Sequence, residues 1–291
     1  MTYQPPHVSE HDGAAIAAAP ADLADLSGDH RVLAENIAEF AEKGHTVVRS
    51  LASTDEVAAY RPVIEAATHR HSVETRPIEE RDTYGKAFLQ VTNLWRVDEG
   101  VRRFVLARRF AKVAAELMGV DGVRLYHDQA LFKEAGGGPT PWHQDQYYWP
   151  LDTDRTITMW MPLVDVPAEI GTMTFASGSY KHGSLGSYAI SDDSDRAFEK
   201  MVEEKQLPLE THGALVAGDA TFHAGWTLHS APGNPTGNLR SVMTVIYMAD
   251  GIRVIEPERD AHRFDMANWL TGCGPGDLAA GERNPLLFQA G

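Results

Sequence analysis

The sequence predicts an α+β chain, with helices up to Met118 and an antiparallel β-sandwich or barrel of short strands after it. Before Gly119, apolar residues recur at helical spacing; beyond it, short β-branched and aromatic segments alternate with Gly, Pro, Asp and Asn turns. The 291 residues, 43% of them hydrophobic, suffice to bury a sizeable core.

The elements follow in order. Residues 1–30 are rich in Ala, Asp, Gly and Pro and read as a loose N-terminal lead-in. Val32, Leu33, Ile37, Phe40 and Ala41 then fall at helical spacing over 31–44, and Gly44 supplies a stop. Thr46-Val47-Val48 reads as a strand. Ser53-Thr54-Asp55-Glu56 opens a second helix, its acids in the first turn where the helix dipole favours them. A third helix is predicted over Glu99–Met118, burying Val101, Phe104, Val105, Phe110, Val113 and Leu117. Strands follow at Gly122–Leu131, Thr156–Val164, Met173–Phe175, Gly213–Val216, Ala220–Phe222 and Ser241–Met248. No repeat or long linker divides the chain. Residues 1–291 are therefore expected to form one domain, with helices packed outside a β core spanning about 120–250.

Lys and Arg number 26 against 41 Asp and Glu, a formal charge of −15. So acidic a chain repels phosphate backbones and anionic lipids, so neither nucleic acid nor a membrane surface is expected as a partner. The one cysteine, Cys273, rules out an intrachain disulfide or a cysteine-cluster metal site and suits a reducing compartment. No apolar run approaches the roughly 18 residues of a membrane span. Met1–Glu10 also lacks the order of a secretory signal. The expectation is a cytoplasmic protein. Its sequence carries no signal of oligomeric state.

The chemistry concentrates in Thr140-Pro-Trp-His143-Gln-Asp145-Gln-Tyr-Tyr-Trp149. In extended backbone, residues two apart project to one side, so His143 and Asp145 can face a common centre while Trp142 and Gln144 face away. An imidazole and a carboxylate are two of the three ligands of a facial triad, which leaves open positions and suits non-haem Fe(II). Alone, His-X-Asp equally describes a hydrogen-bonded loop pair. A second segment, Gly218 through Asn234, runs as a turn, a short apolar strand and a histidine, His229, before a Pro/Gly/Asn turn. It can deliver a third ligand. Arg240 lies eleven positions past His229 across a turn-rich loop, where a guanidinium can take a carboxylate through two parallel hydrogen bonds. Zinc accepts the same three ligands, but a zinc hydrolase would leave Arg240 without a task.

These motifs resemble the phytanoyl-CoA dioxygenase family of Fe(II)/2-oxoglutarate oxygenases. The densest similarity lies in Leu125–Lys133, Pro141–Asp145, Trp160–Asp165, Gly171–Ser179 and His223–Arg240. The resemblance implies a double-stranded β-helix, the cupin-like jelly-roll, as the core. It implies His143, Asp145 and His229 as iron ligands and Arg240 as partner of the distal 2-oxoglutarate carboxylate. It also places Trp160, Lys133 and Gln129 in the co-substrate pocket. The implied reaction hydroxylates a small or medium organic metabolite, converting 2-oxoglutarate and O2 to succinate and CO2. Desaturation, epimerisation and cyclisation remain open at the same site, as does a non-catalytic metal-binding jelly-roll. One position departs from the family: where a small hydroxyl residue often helps hold the distal carboxylate, this chain has Ala231, with Ser230 one position away. Asp145 stands where halogenases of the family carry a small residue, which disfavours halogenation.

The other polar residues divide between bland and functional readings. His223 is the rival of His229 and is read either as a residue that supports a ligand or as a packing neighbour. His69-Arg-His71 sits in a polar helix or loop rather than a metal site, and His127-Asp128 is read as a structural pair beside Gln129, with a catalytic role as the alternative. Tyr147, Tyr148 and Trp149 suit either core packing in a strand or a substrate wall, with Tyr147 and Trp149 the candidates for contact. Gln90 and Asn93, polar residues in an apolar segment, are either satisfied core residues or substrate contacts. Ile190–Asp195 reads as an acidic loop, and Gly136-Gly-Gly138 as a loop without the lysine or helix of a nucleotide site.

Overall fold

In a computed structural model, the protein is described over residues 16–168, 172–186 and 188–291. The elements in chain order are α1 (Ala34–Lys43), β1 (His45–Val48), α2 (Thr54–His71), α3 (Thr83–Ala87), β2 (Leu89–Thr92), α4 (Glu99–Val105) and α5 (Arg108–Met118). They continue with β3 (Gly122–Phe132), β4 (Thr140–His143), β5 (Thr156–Pro162), β6 (Thr174–Ala176), α6 (Asp192–Lys205) and β7 (Leu209–Thr211). β8 (Ala220–Ala224), β9 (His229–Ala231), β10 (Val242–Ala249), α7 (Asp260–Asn268) and β11 (Leu286–Gln289) complete the chain.

Two antiparallel sheets result. The larger runs β1-β8-β5-β10-β3-β11, with β2 also on β3, and the smaller runs β4-β9-β6-β7. This is the double-stranded β-helix expected, with helices added. Its strands are not confined to about 120–250, because β1, β2 and β11 all join the large sheet.

Register decides what faces the gap between the sheets. His45, His223, Thr158, Ile246 and His127 stand in one row across β1, β8, β5, β10 and β3. The next row is Val47, Thr221, Trp160, Thr244, Gln129 and Thr92. Directly opposite residues share a face, so both rows look toward the small sheet. The other face carries Met159, Met161, Val245, Ala130, Phe132 and Phe222, all buried in the main core with the helices. Between Ile246 and Tyr247 the register slips: these two oppose His127 and Leu125, and Tyr126 is left as the extra residue of a bulge. Bulges of this kind re-aim side chains beside sites.

The helical half keeps most of the sequence pattern, with several corrections. Gly44 ends α1 in left-handed conformation, and Ser53 closes a capping box with Glu56 at the start of α2. Of the apolar residues at helical spacing, Leu33 and Ile37 are exposed and Phe40 is buried in the core. The single helix expected over Glu99–Met118 is two, broken where Ala107 turns extended (ψ 117°). The break lets α4 pack on α2 while α5 packs on the large sheet, so both apolar stripes are buried. Ile190–Asp195 is not a loop, because Ser191 caps α6 and the acids fill its first turn. Residues 147–149 are not in a strand, since a tight 3-10 turn occupies Asp145–Tyr148. Gly213–Val216 forms no strand beyond the single bridge of Leu215 with Val166. Of the N-terminal lead-in, residues 1–15 lie outside the described residues. Residues 16–30 are tied down by Ala17 N–H on Val97 O, the Tyr60 hydroxyl on Ala24 O and a buried Leu26.

Gly218 links these halves. Its φ is +96°, its carbonyl accepts the Ala52 N–H at 3.1 Å, and a Cβ there would lie 2.1 Å from Ala52 O. Gly251 has a similar φ of +85° but open space around it. Gly218→Ala should therefore destabilise the fold by about 3 kcal/mol, against about 1 kcal/mol for Gly251→Ala, in chemical denaturation. Equal costs would show that backbone conformation alone, not the contact with Ala52, dictates the glycine.

Candidate metal and co-substrate site

The small sheet brings two histidines together. His143 ends β4 and lies opposite His229, the first residue of β9. Gln144 is extended (φ −121°, ψ 123°), so Asp145 projects to the same side as His143. Gln144 faces away, donating to Gly183 O and Trp226 O and accepting the Leu185 N–H. Trp142 packs with Phe198 and Leu228 behind the site, its backbone N–H donating to Asp195 Oδ1 from α6. One ligand atom from each of His143, Asp145 and His229 lies within 4.8 Å of the others.

Hydrogen bonds orient all three. His143 Nδ1 lies 2.8 Å from Pro141 O, and His229 Nδ1 lies 2.9 Å from Thr227 O. A carbonyl only accepts, so each Nδ1 carries the hydrogen and each Nε2 presents its lone pair. Both Nε2 atoms face Asp145 Oδ1, at 3.6 and 3.8 Å. Asp145 Oδ2 is taken from the other side by the Thr158 hydroxyl at 2.8 Å and by His223 Nε2 at 3.1 Å. Burial pushes the His143 and His229 imidazoles down, toward the neutral form. Burial also opposes ionisation of Asp145, but His229, His223 and His143 outweigh it and hold the carboxyl below its ordinary value. Two neutral imidazoles and one carboxylate gathered at the cavity are a donor set that would fit a ferrous ion.

That cavity, about 1260 Å³, reaches from these residues to Arg240. Arg240 exchanges both backbone hydrogen bonds with Lys133 (3.0 Å each), and Asn234 ties the intervening loop to Lys133 O, Glu134 O and Asn238 O. Its guanidinium is buried, 5.3 Å over the Trp160 ring, and burial lowers its pKa to about 9. Trp160 and Gln129 line the cavity. Lys133 does not; its Nζ donates to Gly138 O at 2.6 Å and lies 3.4 Å from Thr140 Oγ1. Burial, helped by Arg240, pulls its pKa down to about 7. Ser230 and Ala231 both reach the cavity, and Thr140, opposite Ala231 across the sheet, brings a hydroxyl there.

Of the four substrate candidates, Gln90, Tyr147 and Trp149 line the cavity. Gln90 is hydrogen-bonded to Gln129. Asn93 is elsewhere: it takes a left-handed turn (φ 55°) after β2 and bonds Asp128 O through its backbone. His127 and Asp128 are not a side-chain pair. His127 faces the cavity and stacks on Trp269 at 4.8 Å, whereas Asp128 accepts the Leu94 N–H on the other face. His223 and His229 come from opposite sheets, separated by the turn after β8. Thr158, Thr140 and Asp265 escaped the sequence reading, and His127 was read only with Asp128, because strand register and the packing of α7 bring them to the cavity.

The phytanoyl-CoA dioxygenase family model matches residues 40–242. A probable alpha-ketoglutarate-dependent hypophosphite dioxygenase of Stutzerimonas stutzeri is 24% identical over 229 residues, covering 75% of this chain and 79% of that protein. The ectoine dioxygenase of Stutzerimonas stutzeri (strain A1501) is 23% identical over 237 residues, 74% and 76% of the two chains. Among solved structures, the non-haem alpha-ketoglutarate-dependent carbocyclase SnoK from nogalamycin biosynthesis superposes with a TM-score of 0.72 at 25% identity, covering 89% of this chain and 99% of that one. The epimerase SnoN, in complex with Fe3+, alpha-ketoglutarate and nogalamycin RO, gives 0.69 at 28% identity, covering 87% and 97%. With a family match spanning more than half its length around this triad, the chain belongs to the phytanoyl-CoA dioxygenase family of Fe(II)/2-oxoglutarate-dependent dioxygenases.

Proposed function

We propose that His143, Asp145 and His229 hold the ferrous ion, and that Arg240 anchors the distal carboxylate of 2-oxoglutarate, in an oxygenase acting on a medium-sized organic metabolite. One observation carries this reading: three oriented ligand atoms within 4.8 Å share a cavity with a buried guanidinium. When bound, iron and 2-oxoglutarate supply the oxidising chemistry, consuming O2 and releasing succinate and CO2.

The chain's residues supply position and exclusion. Pro141 O and Thr227 O hold the two imidazoles in the ligating tautomer. Thr158 and His223 occupy Asp145 Oδ2 and keep Oδ1 turned toward the metal position. Thr140 supplies the hydroxyl absent at Ala231, assisting Arg240 at the carboxylate. Trp160 shields the guanidinium from water, and Lys133 supports it from beneath through the paired backbone hydrogen bonds. Gln129, with Gln90 bonded to it, borders the co-substrate, and Tyr147 and Trp149 border the substrate. The cavity holds far more than 2-oxoglutarate, which points to an organic substrate much larger than hypophosphite. Hydroxylation is the default outcome. Epimerisation and ring closure use the same site, as the activities of SnoN and SnoK illustrate for those proteins.

Arg240→Ala should raise the Kd for 2-oxoglutarate about 100-fold in anaerobic titrations of the Fe(II)-loaded protein, with iron content unchanged. An unchanged Kd would remove the co-substrate role. Thr158→Val, nearly isosteric, should weaken Fe(II) binding about 10-fold in competition with a chelator, because Asp145 Oδ2 loses a donor. Wild-type iron affinity in this variant would show that the hydroxyl does not orient the ligand.

A further inference from the structure

The cavity wall away from Arg240 contains a carboxyl group that iron and 2-oxoglutarate do not use. Asp265, on α7, is 3% exposed and lines the cavity. Its protein partners are donors: the Tyr126 hydroxyl reaches Oδ2 at 2.6 Å, and the Trp269 side chain also bonds it. An indole N–H only donates, so the carboxyl is arranged as an acceptor. No ion pair of Asp265 occurs among the described residues, and none of the influences on its ionisation is a charge. The two arginines of the same helix region also line the cavity but do not pair with Asp265, and Arg259 Nη1 is buried without a hydrogen-bond partner among the described residues. Arg263 bonds Asp260 and Pro257 O, and Arg259 lies 4.6 Å over the Tyr147 ring beside Glu258.

Three aromatic rings surround this carboxyl's face of the cavity. His127 and Trp269 stack at 4.8 Å, and Trp149 lies 5.4 Å from Tyr126. The bulge in β3 explains the arrangement: with Tyr126 as the extra residue, Tyr126 reaches Asp265 while His127, next in sequence, faces the cavity. A buried acceptor carboxyl beside π faces, without its own cation, is the surrounding that selects a positively charged nitrogen.

We propose that Asp265 is the substrate-recognition residue of this site and takes a protonated amine on the organic substrate, against the rings of His127, Trp149 and Trp269. The proposal rests on the oxygenase reading above and adds the substrate class to it. His127 lies two strands from Thr158 in the same row, roughly 10 Å at ordinary strand spacing. The amine is therefore held well away from the carbon presented to the metal. Burial raises the Asp265 pKa well above the ordinary carboxyl value, and an incoming ammonium supplies the charge that ionises it.

The test uses the full chain loaded anaerobically with Fe(II) and 2-oxoglutarate. Phenylalkylamines of increasing chain length and the matching uncharged phenylalkanols are the probes, with tryptophan fluorescence as the readout. The wild-type protein should bind its best amine about 10-fold or more tightly than the matching alcohol. Asp265→Asn should abolish that preference while the Kd for 2-oxoglutarate stays within about two-fold of wild type. Asp265→Ser, which keeps a hydroxyl for Tyr126 to meet, should lose it equally and guards against a folding defect in the asparagine variant. Equal binding of amine and alcohol by the wild type, or a preference that survives both substitutions, overturns the proposal. Failure of 2-oxoglutarate to bind the Fe(II)-loaded wild type would instead overturn the oxygenase reading, and the two results are read from separate titrations.

Discussion

The site depends on how one partly buried carboxylate divides its two oxygens. Asp145 Oδ2 is claimed by Thr158 and His223 from the large sheet, and Oδ1 faces the Nε2 atoms of His143 and His229 from the small one. Each sheet thus holds one side of the same group. A carboxylate at this depth is costly unless its lone pairs are met, so the two sheets keep their spacing only while these partners are in place. Trp142 behind β4, pinned by Asp195 of α6, carries that constraint outward to a surface helix.

The paired rows across the large sheet explain why so many polar groups share one face. Thr244, Gln129, Thr92 and Trp160 stand side by side because β2, β3, β10 and β5 are in register, and Thr158 and His223 sit one step along. The reverse face is methionine, valine and phenylalanine against the helices. A one-residue slip would exchange the two faces, and the buried apolar face makes such a slip prohibitive. Hydrophobic packing on one side thereby fixes the polar chemistry on the other.

Some of this was legible in the sequence and some was not, for physical reasons. His143 and Asp145 sit in one extended stretch, where period-two geometry is local and can be read directly. His229 and Arg240 were legible through the family resemblance and the spacing between them, since strand parity does not separate His229 from His223. Thr158 and Thr140 were not, because their importance comes from strands paired across long separations. Asp265 was hidden for the same reason, reached only through α7 and the bulge at Tyr126. The acids of Asp192–Asp195 resembled a solvated loop because helix N-termini favour the same residues. The break at Ala107 had no marker, since alanine favours helix and tertiary packing overrode it.

β1 pairs with β8, roughly 180 residues further along the chain, and has no other strand neighbour among the described residues. During synthesis, His45–Val48 therefore emerges long before β8. Closing so wide a loop is slow, so the early helices must wait, partly assembled, with an unpaired edge on display. Nascent chains stalled before Ala220 are consequently the species in which a chaperone would find the most to hold.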